Sequence, residues 1–253
     1  MFVALGNKQP FMVINITNKQ LIMKSYILLL PLIVLSFFMS CSKDDEQSIA
    51  YWSELSSEKT KEIENLVASV SCTNINDFEI LGAGINYTYY FAVHPSIKAR
   101  FETLKDELNY YDKKVTETAM RQGIVLDYMA SYPPIEKACE NGKVKLTYAE
   151  DLSIEEVNNA LVGRYDALIN FYNDIPCTDA SQWSVDYVQQ LCNYEGFAIH
   201  KTIRTNEATL LVGAYNSLIL RKRNLESTIC LFESPVIKPT VGCKDGKPVI
   251  VNQ

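Results

Sequence analysis

Apolar positions along the chain follow two spacings in a fixed order, and the order is written twice. Between Ser56 and Ser71, Ile63, Leu66, Val67 and Val70 recur at steps of three and four, which predicts a helix. The spacing then drops to two. Tyr87, Tyr89, Phe91 and Val93 alternate with Thr88, Tyr90, Ala92 and His94, predicting a strand with Tyr87 and Tyr89 on its core face and Tyr90 turned away. Ile97, Phe101, Leu104, Leu108, Tyr111 and Val115 restore the helical step over a longer stretch. Asn141-Gly142 closes the series, a dipeptide that accepts positive φ at both centres of a tight hairpin.

The same grammar returns about 105 residues later. Phe91-Ala92-Val93-His94-Pro95-Ser96-Ile97 matches Phe197-Ala198-Ile199-His200-Lys201-Thr202-Ile203, with four identities in seven. Cys72-Thr73-Asn74 matches Cys177-Thr178-Asp179, and Cys139-Glu140-Asn141-Gly142-Lys143 matches Cys243-Lys244-Asp245-Gly246-Lys247. Ser153 to Asn173 supplies the second leading helix, opened by the capping box Ser153/Glu156 and striped by Val157, Leu161, Leu168 and Phe171. Ile203, Leu211, Tyr215 and Leu218 supply the second long helix. The expected architecture is therefore α+β: two tandem copies of a helix, strand pair, long helix and β-hairpin, in residues 53–150 and 151–253.

Ahead of the copies, Met23-Lys24 precedes an apolar run from Tyr26 to Met39 and then Ser40-Cys41, the order of a secretory signal. The run falls short of the roughly 20 residues that span a bilayer. Residues 23–40 are expected to be the signal, residues 41–52 an acidic tether, and residues 1–22 an extension upstream of the true start at Met23. Phe38-Met39-Ser40-Cys41 resembles the lipobox of bacterial lipoproteins, which implies acylation of Cys41. Lys43-Asp44-Asp45-Glu46 resembles the signal that carries Bacteroidetes-type lipoproteins to the outer face of the outer membrane. A lipid-anchored, surface-exposed location follows as an expectation, since each buried acyl methylene contributes about 0.8 kcal/mol of membrane binding.

Setting Cys41 aside leaves six cysteines, an even number in an exported chain, which favours disulfides. The repeat equates Cys72 with Cys177 and Cys139 with Cys243, so each copy should close its own bridge: Cys72 with Cys139, Cys177 with Cys243. Cys192 and Cys230 have no counterparts in the first copy, where Asn86 and Val125 stand, and are expected to bond to each other. The competing reading is free thiols or a metal site, for which no Cys-x-x-Cys spacing occurs. The second copy, from Cys177 and Trp183 through Cys192-Asn193-Tyr194-Glu195-Gly196-Phe197 to Cys243-Lys244-Asp245-Gly246-Lys247, is similar to a cysteine-containing module of uncharacterised Bacteroidetes lipoproteins. There, a Gly-Gly-Pro stretch follows the middle cysteine and a serine stands at the place of His200. The resemblance implies no activity.

Charge narrows the partners. From Cys41 onward, 21 basic residues face 30 acidic ones, which argues against nucleic acid. No nucleophile-elbow, zinc-protease or phosphate-loop motif occurs. The two histidines, His94 and His200, fall at equivalent positions and are either strand-end residues or, less simply, a metal or proton-transfer pair. Tyr87, Tyr89, Tyr90, Tyr110 and Tyr111 are either core or an aromatic platform for a sugar or peptide, with Tyr90 the expected ligand contact. Paired acids such as Asp106-Glu107 and Glu155-Glu156 are expected on solvated helix faces. The leading expectation is a non-enzymatic binding module for an extracellular protein or glycan, without a cofactor. The alternatives are an envelope-facing hydrolase or metal enzyme centred on the histidines, and a protease inhibitor.

Overall fold

Helix α1 (Ile49–Ala68) starts where the Ser48 hydroxyl accepts the Tyr51 N–H at 3.2 Å. In this computed structural model, residues 47–127, 131–230 and 239–251 are described. The signal, Cys41 and Lys43, Asp44, Asp45 and Glu46 lie outside them. The expected tether reaches too far: its last four residues, 49–52, are already the first turn of α1, and Trp52 is buried beneath Tyr111, with the rings 6.3 Å apart. A cap and a buried indole outweigh the polar residues between them.

A hairpin of β1 (Glu79–Ala83) and β2 (Tyr89–Val93) follows, then α2 (Lys98–Arg121) and a hairpin of β3 (Glu136–Glu140) and β4 (Lys143–Thr147). Strand alternation sends Leu81, Ala83, Phe91 and Val93 toward α1 and α2, where they meet Ile63, Phe101, Leu104 and Leu108. The opposite face sends Ile80 and Ala92 toward Cys72, Phe78, Val144 and Leu146. The first hairpin is thus covered on both faces. Asp112, on the inward side of α2, is buried but satisfied: Ser56 Oγ donates to it at 2.6 Å and the Ile85 N–H at 2.8 Å.

The second copy repeats the plan with one change. Its leading helix is expected as a single run from Ser153 to Asn173, yet it divides into α3 (Ile154–Leu161) and α4 (Arg164–Ile169). Val162 turns extended and Gly163 takes φ 71°, a conformation glycine adopts without penalty and one that breaks the helical ladder. The capping box forms as expected: Glu156 accepts the Ser153 N–H at 2.8 Å, and Ser153 Oγ accepts the Glu156 N–H at 3.4 Å. Then come β5 (Trp183–Gln190) paired with β6 (Asn193–His200), α5 (Thr205–Leu225), and β7 (Thr240–Lys244) paired with β8 (Lys247–Val251). Leu168, Tyr172, Trp183, Val188, Ile199, Val212 and Tyr215 form the core of this copy.

The duplication extends to single atoms. The Cys72 N–H donates to the Gly142 carbonyl at 2.8 Å, and the Cys177 N–H donates to the Gly246 carbonyl at 2.8 Å. Both closing turns have positive φ at both centres, Asn141 and Gly142 in one, Asp245 and Gly246 in the other. The bridges are Cys72–Cys139, Cys177–Cys243 and Cys192–Cys230, with Cα separations of 5.5, 5.4 and 5.1 Å. These are the expected pairs. No helix among the described residues is long and apolar enough to cross a membrane.

The copies pack against each other through a separate apolar cluster. Ile135 and Ala149, which flank the β3–β4 hairpin, meet Val157 of α3 and Ala214 and Leu218 of α5. A polar tie braces the joint: Arg164 Nη2 donates to the Ile135 carbonyl at 2.9 Å. Within the second copy, Arg221 Nε donates to the Leu152 carbonyl at 3.0 Å.

Candidate functional site

The joint between the copies leaves a cleft of about 470 Å³. The volume lies within the range of small-ligand sites. One wall is Tyr87 to Phe91, running into β2. Glu64 of α1 stands beside it. The second copy contributes Ser217, Leu220, Arg221 and Asn224 of α5, and Ser131–Pro133 and Tyr148–Glu150 close the remaining side.

Five tyrosines therefore converge here, but not as their alternation predicts. Tyr87 and Tyr89, expected in the core, are exposed and meet edge to face at 4.8 Å, whereas Tyr90 is half-buried. The reason is the cross-strand pairing. At this end of the hairpin the buried place between the helices goes to Ala83, the partner of Tyr89 across the sheet, while Tyr87 and Tyr89 stay exposed, Tyr89 lying along Ser53, Ser57 and Thr60 of α1. Tyr110 and Tyr111 lie elsewhere, meeting each other and Trp52 edge to face or stacked. Tyr132 and Tyr148, which the strand pattern cannot find, complete the aromatic lining.

Three of the cleft phenols, Tyr89, Tyr90 and Tyr148, are held protonated more firmly than a free tyrosine. Burial raises the pKa of Tyr90, with Tyr87 adding to the effect; burial also raises Tyr148, reinforced by Tyr87 and Glu150. Tyr89 is raised by burial and then by the charges of Asp112, Tyr87 and Glu64. Each therefore offers an O–H donor and an apolar ring at neutral pH. Glu64 and Glu150 are exposed and form no ion pair among the described residues, and the outer guanidinium nitrogens of Arg221 carry no hydrogen bond there. The lining thus combines rings, neutral hydroxyls, two carboxylates and one guanidinium.

The histidines serve turns, each in its own copy. His94 Nδ1 accepts the Ser96 N–H at 3.2 Å, and its ring lies 5.3 Å from that of Phe78. His200 Nδ1 accepts the Thr202 N–H at 3.2 Å and the Ile203 N–H at 3.0 Å, and its ring meets Trp183 at 5.0 Å. Neither lines the cleft. Among the described residues no group of three His, Cys, Asp or Glu side chains is placed to hold a metal ion. The paired acids lie on solvated helix surface as expected, Asp106, Glu155 and Glu156 exposed and Glu107 partly so; Glu107 also accepts Lys59 Nζ at 2.6 Å, and Glu156 caps its helix.

No protein-family model, curated protein or solved structure matches the chain.

Proposed function

We propose that the chain is a surface-displayed lipoprotein of an outer membrane, tethered through Cys41 and the Lys43–Glu46 export run, that binds an extracellular ligand without transforming it. The ligand site is the tyrosine-lined cleft between the two copies. One observation carries the reading: five tyrosines from separate segments, two carboxylates and a guanidinium converge on an open cleft that neither copy builds alone. Aromatic rings with neutral hydroxyls give large contact area at low entropy cost, the composition of recognition surfaces. A bridge in each copy keeps the walls in register.

The test has two arms. Labelling with a radioactive fatty acid should mark the chain and be abolished by Cys41→Ala, and protease added to intact cells should remove it. Material captured from cell surroundings by the wild-type chain should be lost in a Tyr89→Ala, Tyr148→Ala double variant that keeps its disulfides and circular dichroism. Capture unaffected by the double variant, or turnover of the captured material, would overturn the binding reading.

A further inference from the structure

The cleft runs along an open strand edge. Side chains of a strand alternate between its faces, so consecutive strand residues line one cavity when the cavity follows the backbone edge, and Tyr89, Tyr90 and Phe91 of β2 do so, with Tyr87 and Thr88 of the segment leading into it. Among the described residues β2 pairs with β1 alone. Its other edge has no strand partner among these residues. The direction of the free groups follows from one hydrogen bond, in which Ser131 Oγ, itself a cleft residue, donates to the Thr88 carbonyl. Backbone groups two residues apart on a strand point the same way, so the Tyr90 N–H and C=O also face the cleft.

We infer that the ligand is an extended peptide that adds a strand to β2 at Tyr90 and carries a basic side chain. Strand addition takes affinity from main-chain hydrogen bonds and specificity from the flanking pockets. Two carboxylates on the first copy's side of the cleft are open to such a side chain: Glu64 and Glu150 are exposed without an ion-pair partner among the described residues, beside Tyr87 and Tyr89 rings that also attract a cation, while the one guanidinium, Arg221, comes from the second copy. Beyond Glu64 and Tyr89 the groove continues as a trough of about 310 Å³ along Ser53, Ser56, Ser57, Thr60 and Lys61 of α1, which suits an elongated chain rather than a compact metabolite and places the basic side chain at Glu64 rather than at the Lys61 end. This inference rests on the cleft being the binding site.

The test uses the whole mature chain and a library of blocked hexapeptides, scanned for lysine or arginine at each position and for N-methylation at each amide of the tightest binder. A basic residue should tighten binding over its norleucine counterpart, and N-methylation at alternate amides should weaken it about tenfold, the loss of one main-chain hydrogen bond, while the amides between tolerate it. Exchange of Glu64 and Glu150 for glutamine should weaken the lysine peptide and leave its norleucine counterpart unchanged. Indifference to N-methylation would overturn strand addition, as would a concentration-dependent dimer joined along β2. Oligosaccharide binding that Tyr89→Ala and Tyr148→Ala abolish, without peptide binding, would end the peptide assignment and leave the cleft's role standing. Binding of neither class would end both.

Discussion

Asn86 Oδ1 accepts the Thr116 hydroxyl at 2.7 Å, at the place in the first copy that Cys192 holds in the second by its bond to Cys230. Asn86 also donates through Nδ2 to the Asp112 carbonyl at 3.0 Å. A polar clamp thus secures one hairpin tip where a covalent one secures the other. Asn86→Ala should cost about 1–2 kcal/mol by leaving half-buried partners unsatisfied. Urea denaturation measures the loss, and hydrogen exchange should place it at Ile85 and Gly84, with the β5–β6 tip unchanged.

The three bridges differ in the chain they enclose. Cys72–Cys139 spans 67 residues and Cys192–Cys230 spans 38. In the loop-entropy account, opening either by paired serine substitution costs about 4 kcal/mol, the longer by roughly 0.5 kcal/mol more. Thermal melts of the two double variants should show that order, and a reversed order would point to differences in the native packing at the bridges.

Gly213 of α5 and Pro133 lock the copies together at close range. A Cβ built on Gly213 would lie 2.7 Å from Pro133 Cδ and 2.8 Å from Cγ, and a proline ring cannot swing aside. Alanine should gain roughly 1 kcal/mol of helix propensity, against roughly 1–3 kcal/mol for the overpacked contact. The net prediction is a destabilised Gly213→Ala variant with a widened cleft. A higher melting temperature would mean that Pro133 does not rest on α5.

Tyr165 provides a pH signature. Its hydroxyl donates to Glu195 at 2.6 Å, and that bond, ahead of burial, pushes its pKa up to about 12. The folded state therefore holds this proton above pH 10, where an unfolded tyrosine releases it. Its contribution is complete below about pH 10 and fades as pH rises through about 12. The stability difference between wild type and Tyr165→Phe should be constant to pH 10 and shrink above it. Ultraviolet titration should show one late-ionising tyrosine that Glu195→Gln moves toward the ordinary range.

Legibility followed the nature of each signal. Cysteine spacing and the Asn141-Gly142 and Asp245-Gly246 turns are local, and they repeat, so pairing and hairpins could be read from the chain alone. Tyr87 and Tyr89 could not be placed. Alternation assigns residues to two faces but does not say which member of a cross-strand pair fills the buried place, and in the Ala83–Tyr89 pair it is Ala83. The division at Gly163 was hidden because the apolar stripe resumes in phase with Leu168. The cleft itself was out of reach, since it needs the contact of Ile135 and Ala149 with Leu218 of the other copy, a relationship that no spacing encodes.

Cleft, clamp and joint all depend on a motif present twice with a sulfur bridge inside each copy. Peptide mapping of the mature protein by mass spectrometry without reduction tests this most directly. The predicted map contains Cys72–Cys139, Cys177–Cys243 and Cys192–Cys230, with a lipid on Cys41. A bridge joining the two copies, or free thiols at these six positions, would contradict it.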